Sequence, residues 1–282
     1  MKIGLVLEGG AMRGMFTAGV LDVFLAENVQ VDGMVTVSAG ALFGVNLPSK
    51  QAGRVLHYNL KYLNDKRYMG LRSLLTTGNI VNRDFAFYEL PFQLDVFDQK
   101  AFAQSGIDFW VTLTNVETGE PEYVKITDAF AQMETLRATS AMPMVSKMVE
   151  VNGQKYLDGG IADSIPLVKA QALGYDKIIV VLTRPLDYRK TPSSTALFNL
   201  LYRKFPKLCA RWANRYAEYN QAVERVIELE KQGKIFVIRP SLDLQISRLE
   251  KDPSKVQAMY DLGVAEGRSA LAALRTYLAK NS

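Results

Sequence analysis

Ser38 ends the apolar run Met34-Val35-Thr36-Val37 and is followed by Ala39-Gly40-Ala41-Leu42. An apolar run that breaks at a serine before small residues reads as a buried strand turning sharply into a helix. Such a bend pushes the hydroxyl out of the sheet and aims the N–H groups of the next helix at it, as in a hydrolase nucleophile elbow. In the pattern Gly-x-Ser-x-Gly, Gly40 fills the last position and Thr36 stands at the first. By itself the segment fits an ordinary strand–helix turn equally well. A β-branched residue at position 36 predicts a slightly opened turn or lower activity.

Two further segments supply what a serine nucleophile needs. After the short apolar strand Lys2 to Leu7 comes Glu8-Gly9-Gly10-Ala11-Met12-Arg13-Gly14, and then a helical pattern through Val20, Leu21, Phe24 and Leu25. A glycine-rich link between strand and helix lets backbone N–H groups converge on an anion, either a pyrophosphate or the oxyanion of ester cleavage. The dinucleotide reading is disfavoured, because Ala11 stands where the pattern Gly-x-Gly-x-x-Gly needs a glycine and the second strand ends in Ser38 rather than an acid. The other segment is Gln154-Lys155-Tyr156-Leu157-Asp158-Gly159-Gly160, which delivers an aspartate to a glycine turn. An isolated Asp-Gly-Gly is most simply a turn. The chain has one histidine, His57. It precedes Asp158, whereas the usual hydrolase order places the histidine after the acid. His57 is therefore expected on the helix leaving the serine, with no evident partner and a surface or core role. The base is expected to be Asp158, acting directly on Ser38.

Glycine loop with a basic residue, serine elbow and Asp-Gly-Gly, in that order, resemble the patatin-like phospholipases, over about Lys2 to Leu182. The resemblance implies an α/β fold and a Ser–Asp dyad that cleaves lipid acyl esters through an acyl-enzyme, without cofactor or metal. It implies Ser38 as nucleophile, Asp158 as acid, and Gly9, Gly10, Ala11, Met12, Arg13 and Gly14 as the oxyanion loop. Within that loop the N–H groups of Gly10 and Ala11, with Met12, are expected to hold the oxyanion. Gly159 and Gly160 form the acid turn, and Arg137-Ala138-Thr139-Ser140-Ala141-Met142-Pro143 resembles the family's stretch before the acid. The remainder is similar to the bacterial branch with an added C-terminal region. Ala11 departs from a family glycine but keeps its N–H; the question it raises is whether the required backbone angles suit a Cβ. Two other readings stay open: a soluble esterase or thioesterase using the same dyad, and a catalytically weak lipid-binding regulatory protein, which Thr36 makes plausible.

The rest of the chain must position these groups. Strands are expected near 2–7, 34–37, 108–114, 122–126 and 177–182, and helices near 13–27, 39–47, 52–63, 129–138 and 165–173. Their alternation predicts a mostly parallel central sheet with helices on both faces. Met69 to Gly78 reads as a loop lining the cleft. A polar stretch from Arg184 to Ser194 suggests a catalytic domain over 1–183 and a mainly helical extension over 184–282 packed on it. In that extension Pro206 begins a helix, and Arg203, Lys207, Arg211 and Arg215 recur every four residues beside Leu201, Phe205, Leu208 and Trp212. The plain expectation is an amphipathic helix packing on the domain; the sharper one is a basic stripe that meets anionic lipid. Lys234 to Pro240 reads as a strand ended by proline.

The 282 residues, 48% of them hydrophobic, suffice for one large domain with a core. The net charge of +5 shows no concentrated basic module of a nucleic-acid binder and suits an anionic phospholipid surface. One cysteine, Cys209, excludes an internal disulfide and fits a reducing compartment. The N-terminal apolar run is too short for a signal-peptide core, and no run reaches the ~18–20 residues that span a bilayer. The expected location is cytoplasmic, with room for peripheral membrane contact.

Overall fold

Leu5 and Leu7 bury against one layer of helices and the intervening Val6 against another, so the first strand is covered on both faces. The computed structural model describes residues 1–280. In chain order its elements are β1 (Ile3–Leu7), α1 (Met15–Ala26), β2 (Gly33–Val37), α2 (Ala39–Gly44), α3 (Arg54–Tyr62) and α4 (Leu71–Thr77). A π-helical stretch (Asp84–Leu94) containing Pro91 precedes α5 (Gln99–Gln104), β3 (Asp108–Asn115), β4 (Pro121–Ile126) and α6 (Met133–Ala138). There follow β5 (Val149–Val151), β6 (Gln154–Asp158), α7 (Leu167–Ala172) and β7 (Lys177–Val181). The chain closes with α8 (Ala196–Leu201), α9 (Pro206–Lys231), β8 (Phe236–Ile238) and α10 (Pro253–Ala279).

All eight strands form one sheet in the order β5-β6-β3-β2-β1-β7-β8, with β4 also pairing β3. The stretch β3-β2-β1-β7-β8 is parallel throughout, and β4, β5 and β6 add an antiparallel margin. One face carries the larger core, with Phe16 and Phe24 of α1, Met34, Phe43 and Phe109. The other face carries Val35, Ile178 and Val180 under α7 and α9, which contribute Ala170, Tyr219 and Val226. This is the mixed α/β architecture with helices on both faces that the strand–helix alternation predicts.

The register explains how two residues far apart in sequence meet. The ladder of β2 on β3 ends with the pair Val37–Thr112. The ladder of β6 on β3 begins at the very next residue, where Leu113 pairs with Asp158. The end of β2 and the end of β6 therefore face consecutive residues of one strand.

The C-terminal region is woven into this frame. β8 extends the sheet by pairing with β7. α10 crosses α1 at backbone contact: a Cβ on Gly263 would lie 2.1 Å from the Phe16 carbonyl oxygen, and one on Gly19 would lie 2.3 Å from that of Tyr260. The Tyr277 hydroxyl accepts from the Ile178 N–H (3.1 Å) and donates to the Lys234 carbonyl (3.0 Å), tying α10 to the sheet.

The structure departs from the sequence reading in several places. Met69–Gly78 is not a loop throughout, since it holds α4, bracketed by Gly70 (φ 130°) and Gly78 (φ 76°). Its Leu71 and Leu75 point outward, 74% and 85% exposed, so no amphipathic pattern marks it as a packed helix. The predicted basic stripe does not form one face. Arg203 lies before α9 begins, Arg211 bonds Glu120, Glu218 and the Gly119 carbonyl, and Arg215 turns inward to the Gly160 carbonyl. Among the described residues no helix is long and apolar enough to cross a membrane.

Candidate active site

Ser38 follows β2 directly and has φ 54° and ψ −126°. A non-glycine residue in this region costs on the order of 1–3 kcal/mol and persists only where its surroundings hold it. The surroundings here are specific. The Ser38 N–H donates to Thr139 Oγ1 (2.9 Å), and Thr139 Oγ1 donates to the Thr112 carbonyl (2.6 Å). The Ser38 carbonyl accepts from the N–H groups of Ala41 (2.9 Å) and Leu42 (3.1 Å), which starts α2. Gly40 lets α2 press on the end of β1, because a Cβ there would lie 2.8 Å from the carbonyl oxygens of Leu7 and Glu8.

Ser38 Oγ donates to Asp158 Oδ2 at 2.7 Å, and both residues are buried. The other carboxylate oxygen, Oδ1, accepts from the Gly160 N–H at 2.7 Å. The backbone of Asp158 is pinned in turn. Its N–H donates to the Ala141 carbonyl (2.9 Å), and its carbonyl accepts from Thr114 Oγ1 (2.8 Å). Gly159 lies so close to β3 that a Cβ would sit 2.0 Å from the Thr112 carbonyl oxygen. Burial raises the Asp158 pKa above its ordinary value of 3.8, opposed by the Ser38 and Gly160 hydrogen bonds and by the charges of Arg215 and Arg248. The result is a carboxylate whose proton affinity is increased and which already touches a hydroxyl, a geometry suited to taking that proton.

Thr36 stays within the regular strand ladder, pairing with Leu7 on one side and Val111 on the other. Its hydroxyl donates to the Trp110 carbonyl at 2.8 Å, so the side chain is tied to β3. The turn begins only at Ser38.

The glycine loop runs beside the serine. Gly9 donates to the Ser164 carbonyl (3.3 Å) and Met12 to the Arg248 carbonyl (3.4 Å). Among the described residues no protein acceptor takes the N–H of Gly10 or Ala11. Ala11 has φ 49°, so a residue with a Cβ occupies the left-handed region where a glycine is at ease. Gly14 packs against Phe43 and Ala39 of α2. The Arg13 side chain points away into a cavity described below.

His57 is on α3, not on the helix that leaves the serine, and it does have a partner. Its Nδ1 lies 2.6 Å from Asp95 Oδ2, and Arg54 binds the same carboxylate at 3.0 Å. The His57 side chain is 61% exposed and lines neither cavity at the serine.

Two cavities meet at Ser38, Ala11, Met142, Arg248 and Leu249. One, of about 170 Å³, is walled mainly by apolar side chains including Leu42, Phe43, Phe87, Leu90, Met133 and Leu136. The other, of about 300 Å³, holds Glu8, Arg13, Asp158, Arg184, Lys190, Arg215 and Tyr219. Sequence reasoning missed the supports Thr112 and Thr114, singled out Thr139 only as part of a resembling segment, and placed Arg215 on a lipid-facing stripe. The Arg137–Pro143 segment was a signal for Thr139. No local signal marks Lys190 or Arg248, which loops bring in.

Residues 5–170 match the patatin-like phospholipase family model, and the chain belongs to that family. Residues 205–279 match a domain of unknown function, DUF6363. Among relatives, the uncharacterized protein YjjU of Escherichia coli (strain K12) is 28% identical over all of this chain and 80% of its own. Lysophospholipase NTE1 of Saccharomyces cerevisiae is 26% identical over 96% of this chain, which spans 16% of that protein. Lysophospholipase NTE1 of Candida glabrata is also 26% identical, over 66% of this chain and 11% of its own. Of solved structures, VipD from Legionella pneumophila is similar with a TM-score of 0.47 and 13% identity, covering 96% of this chain and 67% of that one. Membership in this family supports lipid hydrolysis as the class of activity.

The raised Asp158 pKa has a consequence for stability. The folded state holds this proton more tightly than the unfolded chain. Stability from the protonated form is fully present below the unfolded value of 3.8 and is lost as pH rises through the folded value. Asp158→Asn removes that loss, since Asn can still accept from Gly160. Thermal unfolding should show the variant at least as stable as the wild type at neutral pH, with its advantage vanishing below pH 3.8.

Proposed function

We propose that the protein is a serine acyl hydrolase that cleaves lipid acyl esters with Ser38 and Asp158 as a two-residue machine. The observation that carries this reading is the 2.7 Å hydrogen bond from Ser38 Oγ to a buried carboxylate, made by a serine in a strained turn. Asp158 takes the hydroxyl proton as Ser38 Oγ attacks the ester carbonyl. The tetrahedral oxyanion is received by the N–H groups of Gly10 and Ala11. Met12, whose N–H already has an acceptor, falls outside that hole. Collapse expels the alcohol with the proton from Asp158 and leaves an acyl-Ser38 ester. Asp158 then deprotonates a water that attacks this ester, and the fatty acid leaves as Ser38 recovers its proton. The apolar cavity suits the acyl chain. That favours a lipid over a small soluble ester, while the Ser38–Asp158 contact favours an enzyme over a mere lipid carrier.

Ser38→Ala and Asp158→Asn should each lower kcat/KM on an acyl ester by about 10³-fold or more, and the double variant should be little worse, because the two act as a unit. His57→Gln should keep most of the activity. The acid limb of the pH–rate profile should lie above the ordinary carboxylate value of 3.8, since the base works only when ionised. Near-normal turnover by Asp158→Asn, or a folded but inactive His57→Gln, would contradict the assignment.

Peripheral contact with an anionic lipid surface, expected of the stripe Arg203, Lys207, Arg211 and Arg215, runs in this reading through α8 and only the Arg203 and Lys207 end of that stripe. Leu197, Leu200 and Leu201 of α8 are 58%, 65% and 54% exposed, and the exposed Arg203, Lys204 and Lys207 follow at once. Exposed leucines beside cations are the composition of an interfacial element. Leu200→Glu with Leu201→Glu should weaken binding to phosphatidylglycerol vesicles about tenfold or more at low salt, and hydrolysis of a monomeric short-chain ester should be unaffected. Equal vesicle binding by both proteins would refute the contact.

A further inference from the structure

The larger cavity beside Ser38 is an unusual place to find so much positive charge. Five cationic side chains line it, Arg13, Arg184, Lys190, Arg215 and Arg248, against two carboxylates, Glu8 and Asp158. Both carboxylates are already engaged. Glu8 accepts from the Thr183 N–H (2.6 Å) and the Tyr219 hydroxyl (2.8 Å), and Asp158 from Ser38 and Gly160. Of the five cations only Arg184 has an ion-pair partner within 4.0 Å among the described residues, Asp243 at 2.9 Å. Arg215 spends its Nε on the Gly160 carbonyl, and Lys190 Nζ has the Ser164 hydroxyl at 3.3 Å and the face of the Tyr219 ring at 3.5 Å, neither of them a counter-charge. Arg13 Nε, Arg184 Nε and Trp212 Nε1 are buried donors with no acceptor, and all three residues line this cavity. Packing cations together without counter-charges costs free energy, and burial together with Arg215 pushes the Lys190 pKa far below its ordinary value. Unused buried donors add to the cost. An anion of tetrahedral oxygen geometry would relieve the crowding of charge, since guanidinium groups match phosphate oxygens in charge and direction.

The position of the cavity says which anion. It meets the apolar cavity at Ser38, so an ester whose carbonyl lies at the serine has an apolar space for its acyl chain and a cationic space for its alcohol portion. We propose that this chamber binds the phosphate of a phospholipid head group, and that the C-terminal region, through Trp212, Arg215 and Arg248, builds the half of the chamber that selects phosphate-bearing substrates. This rests on the hydrolase reading given above for its geometry but can be read without turnover. The region matched by the domain of unknown function thereby acquires a role, since those three residues lie within 205–279. Arg184 and Lys190 come from the chain just before it.

Binding to the full-length Ser38→Ala protein tests the proposal independently of catalysis. Isothermal calorimetry would compare octanoyl lysophosphatidylglycerol with monooctanoylglycerol, which shares the acyl chain and lacks the phosphate, and with inorganic phosphate. The phosphate lipid should bind at least about tenfold more tightly than the neutral one, a difference of one charge-assisted contact. Adding Lys190→Gln should erase most of that ratio, and Lys190→Arg, which keeps the charge, should preserve it and show that the site tolerates substitution. Equal affinities for the two lipids, or a ratio that Lys190→Gln leaves intact, would overturn the proposal. Inorganic phosphate that binds and is lost in Lys190→Gln while the lipid ratio stays at one would assign the chamber to a free anion and overturn the head-group role. If the cations serve only to keep Asp158 ionised, none of the three ligands will distinguish Lys190→Gln from its parent, which also overturns it. Failure of the hydrolase reading would appear instead as undiminished ester turnover in Ser38→Ala.

Discussion

The site depends on Ser38 being held in a backbone conformation that a serine disfavours. What holds it is β3. Thr112 offers its carbonyl to Thr139, whose hydroxyl takes the Ser38 N–H, and Thr114 takes the carbonyl of Asp158 with its own hydroxyl. One strand thus fixes Ser38 and Asp158, through the Thr112 carbonyl and the Thr114 hydroxyl. The constraint propagates outward: the β2 ladder must end at Thr112 and the β6 ladder must begin at Leu113, which puts the antiparallel margin of the sheet where it is. Close-packed glycines serve the same end, Gly40 by bringing α2 against β1 and Gly159 by bringing the acid turn against β3.

A carboxylate buried in such a place would ordinarily take up a proton. Asp158 is drawn in that direction by desolvation and back by Ser38, the Gly160 N–H, Arg215 and Arg248. The balance suits a base that must be ionised at rest and must hold a proton briefly. Arg215 acts on this balance while bonding the Gly160 carbonyl, so a residue from α9 steadies the acid turn within the patatin-like part of the chain. Together with β8 in the sheet and α10 against α1, this makes the C-terminal region part of the same machine in the proposed reading.

Much of the arrangement was legible in the sequence, for reasons that differ by residue. Ser38 and Asp158 were readable because each sits where an apolar strand meets small residues, the strands β1 and β7 because they are near-continuous apolar runs, and β2 and β3 because β-branched and aromatic residues dominate them. Ala11 was marked as a backbone question, and its positive φ is where that question lands. Thr36 was read as opening the turn slightly, but its hydroxyl finds an acceptor on the neighbouring strand, which sequence spacing cannot reveal. α4 was missed because two of its three leucines, Leu71 and Leu75, face solvent and its caps are glycines. Arg215 and the basic stripe were misplaced because a period of four residues says nothing of which face of a helix is covered. Lys190 and Arg248 reach the site from loops, so only the tertiary fold brings them beside the serine.

The most direct measurement of the central claim is covalent labelling of the native protein by a fluorophosphonate, followed by peptide mapping and a comparison of labelling rates. One modified residue, Ser38, is expected, with labelling slowed strongly in Asp158→Asn and scarcely in His57→Gln. Label on another residue, or an unchanged rate in Asp158→Asn, would contradict it.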